Sequence, residues 1–243
     1  MSINQLAIGT DVEKTNTDTL GGSYTKDTGL YPCTVDMAYL GKSRGGAMSL
    51  NLHLKLASDK SVIRQTLWVT SGDAKGNKNF YVNQNGKKFL LPGMVLADQI
   101  ANITAGKPMG ELSAEEKTIK LWDYDAGAEK PTEVPVITAM LGQPILIALK
   151  KHRENKRVND GSGKYVPTAD ERIFNEIDKV FYPDGFSVTE KEANAAEAKF
   201  HKQWADKFPN DYVEDDYDAS VASVEDDSLP GTAKVDTGGF DFS

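Results

Sequence analysis

From Met48 to Leu56 apolar and polar residues alternate without a break. Met48, Leu50, Leu52, Leu54 and Leu56 hold one parity, and Ser49, Asn51, His53 and Lys55 hold the other. A period of two puts successive side chains on opposite faces, so this segment predicts a strand with one buried and one open face. Tyr31 to Gly41 and Val62 to Thr70 predict strands on either side of it. Lys42-Ser43-Arg44-Gly45-Gly46 reads as the first hairpin loop, and Asp59-Lys60 as the second. Between Ser71 and Gly93 the sequence is polar and punctuated by glycine, and Asn85-Gly86 predicts a further hairpin. Leu96 to Thr104 predicts a short helix with Leu96, Ile100 and Ile103 on one face. A polar excursion follows, including Trp122-Asp123-Tyr124-Asp125, and then an apolar segment from Pro135 to Leu141. Gly142 to His152 reads as a buried strand around Ile145-Leu146-Ile147-Ala148-Leu149. A loop rich in Lys, Arg and Gly is expected from His152 to Tyr165, and a last strand from about Arg172 to Tyr182. Thr189-Glu190-Lys191-Glu192 reads as a capping box opening a helix, with Ala196, Phe200, Trp204 and Phe208 as its apolar stripe.

Three meandering strands, a helix-containing insertion and a final two-strand hairpin follow the order of an OB-fold, which places a helix between its third and fourth strands. The fold class expected is therefore mainly β. It is an OB-fold-like five-stranded barrel with a helix-containing insertion, a C-terminal helix and a disordered acidic tail. Residues 1–28 are polar and read as a flexible arm, 29–208 as the folded domain and 209–243 as the tail.

Charge sharpens this division. The net charge is −8, yet Asp211 to Ser243 holds ten acidic residues and one lysine, or −9, which leaves +1 for the rest. Tyr31 to Leu90 carries nine Lys/Arg against three Asp, a net of +6. Lys150 to Lys164 carries six against two, a net of +4. Two basic segments and one acidic tail are hidden inside an acidic average. The single cysteine, Cys33, has no intramolecular partner, which fits a reducing compartment. With neither a signal-like start nor a long apolar run, the chain is expected to be soluble and intracellular.

Single strands expose base faces and phosphates, so a binder needs aromatic platforms and cations together. The first basic segment interleaves the two. Tyr39, Lys42, Arg44, Lys55, Arg64, Trp68, Lys75, Lys78, Phe80, Tyr81, Lys87 and Lys88 are candidate DNA contacts. Tyr39 and Trp68 also fit core or rim positions, whereas Phe80 and Tyr81 lie in glycine-rich, cationic surroundings that do not read as core. Lys150, Lys151, Arg153, Lys156 and Arg157 are candidate phosphate contacts from the loop before the last strand. In the tail, Asp226, Asp227, Phe240, Asp241 and Phe242 are candidate partner-binding residues, because exposed phenylalanines in an acidic tail suit a docking peptide better than a solubilising one.

The blocks Gln65-Thr66-Leu67-Trp68-Val69-Thr70-Ser71-Gly72, Lys75-Gly76-Asn77-Lys78-Asn79-Phe80-Tyr81, Leu90-Leu91-Pro92-Gly93 and Asn175-Glu176-Ile177-Asp178-Lys179-Val180-Phe181 resemble the single-stranded DNA-binding proteins of tailed bacteriophages, of a podophage group. The resemblance covers roughly residues 28 to 208. It implies an OB-fold, protection of single strands in replication, recombination and repair within the infected host's cytoplasm, and tail contacts with phage or host replication enzymes. Many relatives end in the tail aromatic itself, and this chain departs from them in ending at Ser243.

No catalytic signature is present. His53, His152 and His201 are scattered, one cysteine cannot build a zinc site, and neither a Walker loop nor a nucleophile elbow occurs. Asp123-Tyr124-Asp125 offers carboxylates for Mg²⁺ only within a segment that reads as loop. No enzyme activity and no cofactor are expected. A phage structural or adaptor protein without DNA binding is the alternative from another class.

Overall fold

The computed structural model describes residues 25–123 and 126–221. Their elements are β1 (Gly29–Lys42), β2 (Met48–Leu56), β3 (Val62–Trp68), β4 (Phe80–Val82), β5 (Lys88–Leu90), α1 (Pro92–Ala105), β6 (Glu115–Asp123), β7 (Ala128–Val136), β8 (Pro144–Asn159), β9 (Tyr165–Phe181), α2 (Val188–Glu192), α3 (Phe200–Lys207) and β10 (Val213–Asp216). The protein is mainly β. Among the described residues every strand pair is antiparallel except β10 on β8.

The alternation of β2 sets the core. Leu50, Leu52, Leu54 and Leu56 are fully buried, while Met48 at the strand's start is exposed. The leucines pack with Val35, Ile145, Ile147, Leu149 and Ile177 from neighbouring strands, and with Ala97 and Ile100 of α1. Each buried leucine contributes about 2 kcal/mol. Cys33 lies in this core, and burial pushes its thiol up to about 12.

The main path of the sheet runs β3-β2-β1-β8-β9. β1 leaves β8 after Thr34↔Pro144, bulges between Val35 and Met37, and meets β7 at Tyr39↔Val136. The closed barrel expected from the strand order does not form. β3 and β9 share no ladder; Ile177 N donates to the Gln65 side chain at 3.4 Å instead. The register of β9 on β8 shifts by one residue around Asp178, and such a bulge bends its strand at the level where it would meet β3.

Four further differences from the sequence reading have local causes. The polar excursion is a regular ribbon, β6–β7, missed because it is mostly exposed and its alternation is short, confined to half-buried Ile119, Leu121 and Asp123 and to buried Val134 and Val136. The basic loop after His152 is strand as far as Asn159, paired to Tyr165, and only residues 160–164 turn. The expected single C-terminal helix is two helices, interrupted where Asn194 takes a left-handed φ of 51°. Order also extends past both expected limits. Thr28 is fully buried before β1, and β10 lies inside the stretch expected to be disordered. The remainder of the arm, Tyr124 and Asp125, and the tail from residue 222 lie outside the described residues.

The capping box sits two residues earlier than expected, with Ser187 as the cap. Glu190 N donates to Ser187 Oγ at 3.2 Å, and Ser187 N donates to Glu190 Oε2 at 2.8 Å. The other Glu190 oxygen accepts from Lys199 N and Phe200 N, each at 2.9 Å, so one carboxylate caps both helices. Burial opposes its ionisation, but the backbone N–H groups of Ser187, Lys199 and Phe200 outweigh burial and hold the carboxyl at about 2. A depressed folded pKa gives stability that is full above the ordinary value of 4.5 and lost as pH falls toward 2. Thermal melts of Glu190→Gln should therefore show a smaller loss of Tm across that interval than the parent protein. Equal losses would remove Glu190 from the acid response.

Candidate nucleic-acid interface

The open face of β1–β3 is built by register. Tyr39, Asn51 and Thr66 line up across three strands, as do Met37, His53 and Arg64, with Trp68 opposite Ser49. Lys55 continues this face opposite Val62. Thr66 Oγ1 donates to Asn51 Oδ1 at 2.8 Å, and the Tyr39 ring meets His53 edge-on at 6.1 Å. Burial first, and then Arg64, hold the His53 imidazole below its ordinary pKa, so it is neutral at pH 7. Trp68 is 48% exposed, which places it outside the core.

The loops gather further cations at one end of this face. Asp73 N donates to Gly45 O at 2.8 Å, which ties the turn at Asp73–Lys75 to the β1–β2 loop. The loop that carries Lys42 and Arg44 thereby adjoins the turn that carries Lys75. Ser71 N donates to Lys78 O at 2.8 Å and brings Lys78 back beside the end of β3. The β4–β5 hairpin then crosses in front of Trp68. Its residues Tyr81 and Phe89 stand directly opposite each other, stack at 5.8 Å, and are 48% and 45% exposed. Phe80 lies on the other hairpin face under Lys88, whose Nζ is 5.0 Å from the ring centroid. Lys87 is exposed at the hairpin turn.

α1 closes the back. A Cβ on Gly93 would lie 2.3 Å from Trp68 O, so only glycine lets the first turn of the helix approach the end of β3 this closely. Between β3, the hairpin, α1 and β9 lies a cleft of ≈ 980 Å³, lined by Gln65, Trp68, Lys75, Tyr81, Phe89 and Ile177 among others. A second groove of ≈ 610 Å³ continues along the same unclosed seam, past Arg64, Arg172 and Phe174. Phe174 stacks on His152 at 5.1 Å, and the Arg172 guanidinium lies 4.6 Å from its ring centroid.

The two basic segments differ in kind. Among the described residues, none of the nine cations between Tyr31 and Leu90 enters an ion pair, although 13 pairs occur elsewhere. Half of the second segment's six cations are neutralised within the fold. Lys150 Nζ sits 3.1 Å from Glu214, 3.9 Å from Asp178 and 4.0 Å from the Phe208 ring centroid. Lys151 pairs with Asp27, and Arg153 with Glu171 and Asp215. All three lie on strand β8 rather than in a free loop, and Lys150 also lines the cleft between β3 and β9. Lys156 and Arg157 are exposed farther along β8 and enter no ion pair among the described residues.

The sequence reading missed Arg172 and Phe174 as groove residues. Their i, i+2 spacing in a strand was the signal, since it puts a cation and a ring on one face. Phe89 was not among the candidate contacts either. Asp226, Asp227, Phe240, Asp241 and Phe242 lie outside the described residues. Among the described residues no helix is long and apolar enough to cross a membrane. No protein-family model matches the chain, and no curated protein matches it.

Proposed function

We propose that this chain binds single-stranded DNA without sequence preference, along the cleft between β3, the β4–β5 hairpin and β9. On this reading it serves phage DNA replication, recombination and repair, and its acidic C-terminal residues recruit replication proteins. The observation that carries the reading is the cluster of cations without ion pairs beside the exposed rings of Trp68, Tyr81 and Phe89. Internal carboxylates leave these cations available for phosphates, and exposed rings offer stacking surfaces of the kind single strands use. The strand order β3-β2-β1-β8-β9, with α1 between the third and fourth members of that set in chain order, supports an OB-fold lacking its closing pair.

Salt dependence tests the assignment. Each cation that no longer meets a phosphate of the single strand lowers the log–log salt slope by about 0.7. Replacing Lys42, Arg44, Lys75 and Lys78 by alanine should therefore flatten the slope for oligo-dT by roughly 3. Replacing Lys151 and Arg153, which do not line the cleft, should leave that slope in place while lowering the melting temperature. Equal affinity of the parent protein for a duplex of matching length would overturn the proposal. A slope that responds only to the second set would move the site to β8.

A further inference from the structure

The β6–β7 ribbon stands apart from the rest of the fold. Its ladder runs from Glu115↔Val136 to Asp123↔Ala128, and its backbone pairing to the main sheet is confined to its base, Tyr39↔Val136. An isolated two-stranded ribbon is marginal in water and needs a third strand or a packed face. Pro131 and Pro135 deprive β7 of two N–H donors, which makes its edge poor at accepting another strand. A partner is thus expected on a face of the ribbon.

The two faces differ. Register puts Glu116, Thr118, Lys120 and Trp122 of β6 opposite Pro135, Glu133, Pro131 and Glu129 of β7. This face carries three carboxylates against one lysine, and none of Glu116, Glu129 and Glu133 pairs with a cation among the described residues. Trp122 is 56% exposed on it. On the opposite face, Lys117 and Lys130 are neutralised by Glu115 and Asp123. One face therefore presents spaced negative charges beside an open aromatic ring, the same chemistry as a short stretch of single strand. The same chain carries its complement, the cations without ion pairs around Trp68, Tyr81 and Phe89.

We propose that the Glu116/Trp122/Glu129/Glu133 face of the ribbon docks in the cationic, aromatic cleft of a second copy of this chain, and that single-stranded DNA displaces it. The inference rests on the cleft assigned above. Such a contact joins two different surfaces, head to tail, and both are exposed on every copy. It holds the cleft covered when no DNA is present, and it weakens as salt rises.

Sedimentation of the full chain at low salt tests it. The expected result is concentration-dependent self-association that falls steeply with salt and is dispersed by oligo-dT. Glu116→Lys with Glu129→Lys and Glu133→Lys should weaken self-association on the order of tenfold or more. The same variant should bind oligo-dT at least as tightly as the parent. Mixing it with Lys75→Glu, Lys78→Glu protein should restore hetero-association, which a misfolded variant could not do. A monomer at all concentrations, self-association unchanged in the triple variant, or oligo-dT bound without dispersing the assembly would overturn the inference. In each of those cases the cleft assignment stands wherever oligo-dT binding itself is intact. Failure of oligo-dT to bind, with charge-dependent association preserved, would remove the DNA reading and keep the ribbon contact.

Discussion

Replacing Trp68, Tyr81 and Phe89 together by alanine is expected to lower affinity for oligo-dT close to a thousandfold. Stacking contributes about 1–3 kcal/mol per base. Tyr81 and Phe89 stack on each other and act as one platform, and Trp68 is a second. Two platforms at the middle of that range amount to about 4 kcal/mol. Folding should be little affected, because all three rings are at least 45% exposed. The direct readout is tryptophan fluorescence in a Trp122→Phe background. Trp204 is buried, with Nε1 donating to Asp178 Oδ2 at 2.6 Å, so Trp68 becomes the responsive reporter. Quenching by oligo-dT should be strong with Trp68 present and vanish in Trp68→Ala. A triple variant with affinity within a few-fold of the parent would place the strand elsewhere.

The second large effect concerns where the acidic region begins to matter for folding. Removing residues 211–243 should destabilise the protein by about 3 kcal/mol, whereas removing 222–243 should leave the melting temperature in place. Thr28 Oγ1 donates to Tyr212 O at 2.6 Å, and β10 pairs with β8 at Lys151–Glu154, beyond the point where β1 begins at Gly29↔Leu149. Tyr217 OH donates to Ala169 O at 2.8 Å, and Asn155 and Asp218 exchange two hydrogen bonds. The longer deletion also strips Glu214 and Tyr212 from Lys150, whose side chain is only 13% exposed. Leaving a largely buried cation without its better partner costs several kcal/mol. In a chain of this size about 3 kcal/mol lowers Tm by roughly 6–12 °C. Residues 222–243 carry five acids and one lysine, a net of −4. The shorter deletion therefore isolates any tethered competition with DNA, read as tighter oligo-dT binding at low salt. Equal melting temperatures for the two truncations would show that β10 contributes nothing to stability.

Legibility in the sequence followed the contrast between buried and exposed faces. β2 could be read residue by residue because Leu50, Leu52, Leu54 and Leu56 all face one core. The Asn85-Gly86 hairpin and α1 were legible from turn chemistry and spacing. β6 and β7 were not, because their alternation is short and weak, with Ile119 and Leu121 only half-buried. The far half of β8 was misread because its cations suggested solvent. The acids that neutralise Lys150, Lys151 and Arg153, namely Asp27, Asp178, Glu171, Glu214 and Asp215, are brought together only by folding. For the same reason, the charge count found both basic segments but could not tell the one half balanced internally from the one left open. Trp68 and Tyr81 stand out in sequence beside lysines. Phe174 does not, because its cation partner Arg172 sits among acids, Asp170 and Glu171.

The missing ladder between β3 and β9 has a topological consequence. A groove open along its whole side can be entered laterally, at any internal point of the strand. On the proposed single-strand reading, loading then requires no terminus, and a covalently closed circle of single strand is as accessible as a linear one. Release obeys the same rule, so one molecule can leave from the middle of a coated strand without its neighbours having to slide.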